Sequence, residues 1–138
     1  MSLFNVFDIA GSGMNAQSIR LNITSSNIAN ADSIAGSAKE AYKARQPIFS
    51  ALMDKFSSNK GSDVSVQMRG VTESQSEHAM RYQPDHPYAN DEGYIFESNV
   101  NLVEEMTNMI SSSRSYQNNI EVLNTSKSML MQTLKLGE

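Results

Sequence analysis

The chain has 138 residues and a mass of 15.2 kDa, the size of one domain. Eleven Lys and Arg stand against fifteen Asp and Glu, a formal charge of -4; neutralising phosphates takes a basic patch, so nucleic acid is not an expected partner. Cysteine is absent, which excludes a disulfide framework, a Cys-based zinc site and a thiol nucleophile. Charged residues make up only 19%, against about 25% in ordinary soluble domains. Ser, Asn, Gln and Thr supply the polarity instead and fill one third of the sequence.

The first sixteen residues carry no basic side chain, and Asn5, Asp8 and Gly11-Ser12-Gly13 interrupt their apolar positions. A cleavable secretory signal needs a basic start and a continuous apolar stretch, so none is expected here. No apolar run approaches the roughly 18 residues that span a bilayer. Met14 to Ala35 contains neither Gly nor Pro. Phe7, Met14, Leu21 and Ile28 recur every seven residues, and Ile9, Ala16 and Ile23 form a second such row. Two apolar rows predict a helix contacted from more than one direction. Gly11 and Gly13 weaken its first turns.

The centre, Asp32 to Gly93, holds all three prolines and four of the seven glycines. Ser33 to Ser37 reads as a loop. Gln46 to Lys55 carries Ile48, Phe49, Leu52 and Phe56 at helical spacing, but Pro47 suits an extended start equally well. Ser57 to Asp63 reads as a loop. Val64, Val66 and Met68 alternate with polar residues, the pattern of a half-buried strand. Gly70 marks a bulge or turn, and Ala79 to Tyr82 is a candidate partner strand. Pro84-Asp85-His86-Pro87 and Asn90-Asp91-Glu92-Gly93 are turn sequences.

Tyr94 to Leu136 is again free of Gly and Pro. Leu102, Met106, Met109, Ser113, Tyr116, Ile120, Leu123, Lys127, Leu130 and Leu134 follow a 4-3 spacing, and eight of the ten are apolar. This predicts one long helix with a coiled-coil-like seam, started by Asn99 or Asn101 as cap and by Glu104 and Glu105 in the first turn. A helix from Val100 to Leu134 would be about 50 Å long, while a compact domain of this size has a radius of gyration of about 14 Å. It must therefore pack against something besides its own chain. The fold class expected is mainly α: N- and C-terminal helices packed as a coiled-coil-like pair, with a small central β or irregular domain.

Both terminal segments are short of charge. Met1 to Ala31 carries only Asp8 and Arg20, and Met106 to Leu134 only Arg114, Glu121 and Lys127. A solvated helix is ordinarily covered in Glu and Lys. Ser, Asn and Thr are mediocre helix formers, so these helices should be marginal alone. Small neutral polar groups cost less to desolvate than charges when they find hydrogen-bond partners. Both facts fit segments that become helices when surrounded.

Catalytic chemistry is not found. Gly11-Ser12-Gly13 lacks the strand before it and the Gly-Lys-Ser that a phosphate loop needs. His78 and His86 form no metal-ligand pair, and Asp85, Asp91 and Glu92 are not spaced as a calcium loop. No nucleophile elbow surrounds any of the serines. Asn22-Ile23-Thr24 and Asn124-Thr125-Ser126 match the glycosylation triplet but lie inside the expected helices. Catalytic, cofactor and metal residues are therefore none, and no enzyme is expected.

Some motifs are more specific. Ser2-Leu3-Phe4, Phe7 to Met14, Leu21-Asn22 and Ser25-Ser26-Asn27-Ile28-Ala29-Asn30-Ala31 resemble the N-terminal signature of bacterial flagellar basal-body rod proteins. Tyr82 to Pro87, Glu92-Gly93-Tyr94, Asn99 to Met106, Met109-Ile110-Ser111, Arg114-Ser115-Tyr116 and Asn119 to Leu130 resemble the proximal rod proteins of the FlgC type. The segment Asp32 to Ala44 is longer and more charged than that pattern. The resemblance implies a structural subunit in which residues 1–31 and 99–138 are helices of an inner tube. Residues 32–98 would then be an extended stretch, beginning near Tyr42 to Phe49, and a small outer β/loop domain. It implies assembly with itself, with rod proteins of the FlgB, FlgF and FlgG types, with the adaptor FliE and with the MS ring and export gate. It also implies export through the flagellar type III apparatus into the periplasm, without a cleaved signal and without membrane insertion. The expected assembly residues are Phe7, Met14, Leu21, Ile28, Leu102, Met106, Met109, Tyr116, Ile120, Leu123, Leu130 and Leu134. The alternative is a cytoplasmic coiled-coil adaptor or chaperone that dimerises through the C-terminal seam.

Overall fold

A computed structural model describes residues 3–53 and 64–135. Phe56 and the loop expected over Ser57 to Asp63 lie outside the described residues. Two long helices, α1 (Leu3–Ala29) and α2 (Leu102–Lys135), enclose a central antiparallel region in the sequence. At 1.5 Å per residue the 34 residues of α2 span about 51 Å.

The helix ends follow from side chains. Asn101 caps α2: its Oδ1 accepts the amides of Val103 at 3.2 Å and Glu104 at 3.3 Å, two of the donors that a helix start leaves unpaired. Asn99 has another task. It accepts the Ala44 amide at 2.7 Å and donates to the Ser76 carbonyl at 2.9 Å, tying the chain before α2 to the segment after α1. At the other end, the Asn30 side chain donates to the Ser26 carbonyl at 2.7 Å, closing α1.

The centre forms two small sheets. β1 (Ile34–Ala35), β5 (Tyr94–Glu97) and β4 (Met80–Tyr82) make one, in the order β1-β5-β4. β2 (Arg45–Met53) and β3 (Val64–Glu73) make a separate antiparallel pair. Gln46 to Met53 is thus strand; its helical spacing is overridden by pairing with β3, and Pro47 tolerates the extended start. Ile48 pairs with Gly70 and Phe49 with Met68, so Arg69 is the extra residue of a bulge beside Gly70. Met80 to Tyr82 is a strand, but its partner is β5 rather than Val64 to Met68. β5 gives no alternation because it is only four residues long and Tyr94, Ile95 and Phe96 are apolar in succession; Ile95 is fully buried. Ile34–Ala35, read as loop, forms a two-residue strand against its other edge.

α1 is packed from two sides. Its hydroxyl at Ser12 accepts the Val66 amide at 3.2 Å, and Arg20 lies 5.3 Å above the Phe49 ring, so the β2–β3 pair lies along one side. α2 lies along another. The two helices approach closely at Gly13, where a Cβ would stand 3.0 Å from Asn119 Nδ2. Ala10, Ala16, Ala41, Ala44 and Ile95 are the buried apolar residues among those described. Four of the five are alanines, and the two in the helices are Ala10 and Ala16, so no large apolar helix side chain is fully buried.

Gly93 is the one described residue with positive φ, at +80°. A Cβ there would meet Tyr82 Cε2 at 2.9 Å and Pro84 at 3.2 Å. Its amide closes the Asn90 turn at 2.8 Å, and its carbonyl accepts the Gln83 amide at 2.9 Å. Gly93→Ala should open this turn at a cost of about 1–2 kcal/mol from backbone strain alone. Hydrogen exchange on the full chain should then show the Gln83 and Asn90 amides exchanging about tenfold faster or more.

Candidate assembly interface

Asn27 is completely buried and uses its whole side-chain amide. Its Nδ2 donates to the Arg45 carbonyl at 2.8 Å and to Glu105 Oε2 at 3.0 Å. Its Oδ1 accepts the Tyr42 hydroxyl and the Arg45 amide, each at 3.0 Å. Two donors and two acceptors are the full capacity of this side chain. One residue of α1 therefore holds the start of β2, the segment before it and the first turns of α2. Glu105 is 7% exposed and makes no ion pair among the described residues. Its second oxygen accepts from Asn108 at 3.5 Å.

The face that α2 turns to α1 follows from these contacts. Glu105 meets Asn27, and Asn119 meets Gly13. Both pairs span fourteen residues, one on each helix, as two antiparallel helices in constant register require. Between and beyond them, Ser112 and Ser126 are buried. The row Glu105, Ser112, Asn119, Ser126 is thus small or polar throughout. On α1, Thr24 and Ala10 are buried on the same side as Asn27 and Gly13. Ser112 Oγ and Gln17 Oε1 are buried without a hydrogen-bond partner.

The expected assembly residues divide along this line. Met109, Tyr116, Leu123 and Leu130 are half-buried and lie one position round the helix from the polar row. Leu102, Met106, Ile120 and Leu134 are exposed, Met106 by 52% and Leu134 by 61%. On α1, Phe7, Met14, Leu21 and Ile28 are all half-buried, on the flank away from the β2–β3 pair. The structure does not bring the twelve together as one seam within the chain. Asn27, Glu105, Ser112, Asn119 and Ser126, which are buried or lie at the close approach of the helices, are polar, and a search for apolar spacing passes over them. Their signal was the same seven-residue interval in a different residue class. Asn27 itself stands inside the Ser-Asn-Ile-Ala-Asn motif.

α2 carries exposed apolar side chains well away from α1. Val103, Ile110, Val122, Met129 and Met131 are each about half exposed or more. No helix is long and apolar enough to cross a membrane among the described residues. Among these residues no group of three or more His, Asp or Glu could hold a metal ion.

Helices of this kind around a small central sheet match two models of flagellar rod proteins. The model of flagella basal body rod proteins matches residues 7–46, and that of the C-terminal part of FlgEFG basal body rod proteins matches residues 91–136. Full-length relatives are more specific. The chain is 47% identical over 138 residues to the flagellar basal-body rod protein FlgC of Salmonella typhimurium and 46% to that of Escherichia coli O157:H7. It is 38% identical over 140 residues to FlgC of Buchnera aphidicola subsp. Baizongia pistaciae. Each match covers the whole of both chains. The chain belongs to the FlgC family of flagellar basal-body rod proteins and is a structural subunit, not an enzyme. The adaptor or chaperone alternative finds no support in these relatives.

The Asn27 cluster gives a test on motility in soft agar. Glu105→Gln keeps an oxygen to accept from Asn27 and should swim nearly as the natural chain does. Glu105→Leu leaves a buried Asn27 donor unpaired, at about 1–3 kcal/mol, and should swim markedly less. Asn27→Leu strips four hydrogen bonds and should be the most severe of the three.

Proposed function

We propose that this chain is a subunit of the proximal rod that assembles through α1 and α2 into a tube, transmits torque and encloses the export channel. The observation that carries this is the surface of α2. Of its 34 residues only Glu105, Ser112 and Ser126 are buried, yet apolar side chains stand exposed on several sides of it. A helix about 51 Å long with almost no charge from Met106 to Leu134 is a poor solvent-facing surface. It is a good surface for neighbouring helices. Open helical assemblies join unlike faces of successive subunits, which calls for more than one apolar face per subunit.

In this reading residues 1–31 and 99–138 are the inner-tube helices, α1 and α2 pack as a coiled-coil-like pair, and residues 32–98 form the outer part. Leu102, Met106, Ile120 and Leu134 meet neighbouring subunits. Phe7, Met14, Leu21, Ile28, Met109, Tyr116, Leu123 and Leu130 serve both the pair and its neighbours. Those neighbours are copies of this chain, rod subunits of the FlgB, FlgF and FlgG types, the adaptor FliE and the MS ring with its export gate. The relatives' name as basal-body rod proteins supports the place in the rod. The absence of cysteine suits passage, unfolded and without a cleaved signal, through the type III apparatus into the periplasm.

Hydrogen exchange tests the reading directly. In the free chain α1 and α2 should exchange fast, and in purified basal bodies both should be strongly protected. Strong protection of both helices in a discrete soluble dimer would overturn it. Leu123→Asp should abolish motility and incorporation into basal bodies while secretion continues; normal swimming by that variant would count against α2 as the assembly element.

A further inference from the structure

The chain holds nine methionines and no cysteine, so oxidation of its sulfur falls on thioethers. Their cover differs from place to place. Met14, Met68 and Met109 are half-buried within the chain. On α2, Met106, Met129 and Met131 are 52%, 55% and 50% exposed, so the chain's own fold does not shield them. At 3.6 residues per turn Met106 and Met131 fall on one side of the helix, in a strip with Val103, Ile110, Ile120 and Leu134, all of them exposed. Met129 lies on another side, seven residues from the exposed Val122. Both of these apolar faces therefore contain a thioether. Met80 is also exposed, but on β4, away from α2.

A peroxide oxidises an accessible thioether by transferring one oxygen atom. The peroxide O–O bond breaks, a sulfur–oxygen bond forms, sulfur loses two electrons, and hydrogen peroxide leaves as water. The product is a polar side chain with a strong acceptor in place of a flexible apolar one. In solvent that oxygen is hydrated. Under an apolar neighbour it is a buried acceptor without a donor, which carries a penalty. We propose that Met106, Met129 and Met131 form an oxidation site that controls assembly: with thioethers α2 accepts neighbouring subunits, and with sulfoxides it does not. This rests on the rod reading. Incorporation covers the three side chains, so the sensitive species is the subunit before it is incorporated. A dithiol-dependent sulfoxide reductase reverses the step and returns the oxygen as water.

Pulses of hydrogen peroxide on cells that are building basal bodies test it. Incorporation of the natural chain should fall about tenfold or more, the effect of unpaired acceptors in a covered interface. Met106→Leu, Met129→Leu and Met131→Leu together nearly conserve volume and remove the three sulfurs; this variant should stay within about twofold of its untreated level under the same pulse. Met106→Gln, Met129→Gln and Met131→Gln together imitate the polarity of the sulfoxide and keep good helix formers. That variant should incorporate about tenfold less or worse without any peroxide. Peptide mass mapping of the natural chain needs no variant. After the pulse, copies outside basal bodies should carry sulfoxide at Met106, Met129 and Met131, and copies inside should not. Four outcomes would each overturn the proposal: natural incorporation unmoved by peroxide, a Leu variant that falls as far as the natural chain, a Gln variant that incorporates normally, or equal sulfoxide in the two pools. Incorporation of the untreated natural chain, measured alongside, tests the rod reading separately.

Discussion

The structure depends on the saturation of one buried amide. Asn27 leaves no donor or acceptor free, and each partner comes from a different segment: Tyr42, the Arg45 backbone and Glu105. An apolar residue there would strand the Arg45 amide and carbonyl and the Glu105 carboxylate, and each buried orphan carries a penalty. A polar centre of this kind contributes modestly to net stability. Its larger effect is geometric, since only one alignment of α1, β2 and α2 satisfies all four bonds.

That alignment matters because the rest of the α1–α2 contact is poorly specified. Its faces are built from Ala10, Gly13, Ser112, Asn119 and Ser126. Small residues let two helices approach closely but interlock little, so sliding one helix by a turn would sacrifice few contacts. The Asn27–Glu105 bond fixes the register that the small residues leave loose, much as a single buried polar residue does in paired helices. The same economy explains the exposed apolar residues of α2. Side chains such as Met106, Ile110 and Met129 are spared from the internal contact and remain available outside it.

The helices were legible in the sequence because their signals are local: breaker-free stretches, the Asn101 cap and the acids behind it. Their existence follows from that chemistry, though α1 runs through Gly11 and Gly13 and stops at Ala29, short of the end of its breaker-free stretch. The face joining them was not, because it is made of Ser, Asn and Gly rather than Leu and Met. The apolar rows around Leu123 and Leu21 are half-buried beside that polar row. In the centre, alternation found β3, and the turns at Pro84 and Asn90 were plain. β5 was missed because its four residues, three of them apolar in succession, are too few for an alternation to show. The Gln46 to Met53 segment was ambiguous until its partner decided it. Asn27 stood in a visible motif, but nothing local to it points to Glu105, 78 residues away.

The β2–β3 pair packs on α1 and has no comparable contact with α2. Away from the Asn99 tie just before α2, the elements are mechanically coupled in series. A load applied to the middle of the hairpin enters α1 through Ser12 and Arg20, and reaches the length of α2 by crossing the α1–α2 contact. Stiffness along such a path is set by its softest step, here the small-residue contact between the helices. An assembly that must turn without winding up would have to add springs in parallel with that step. The unoccupied sides of α2 are where they can be attached.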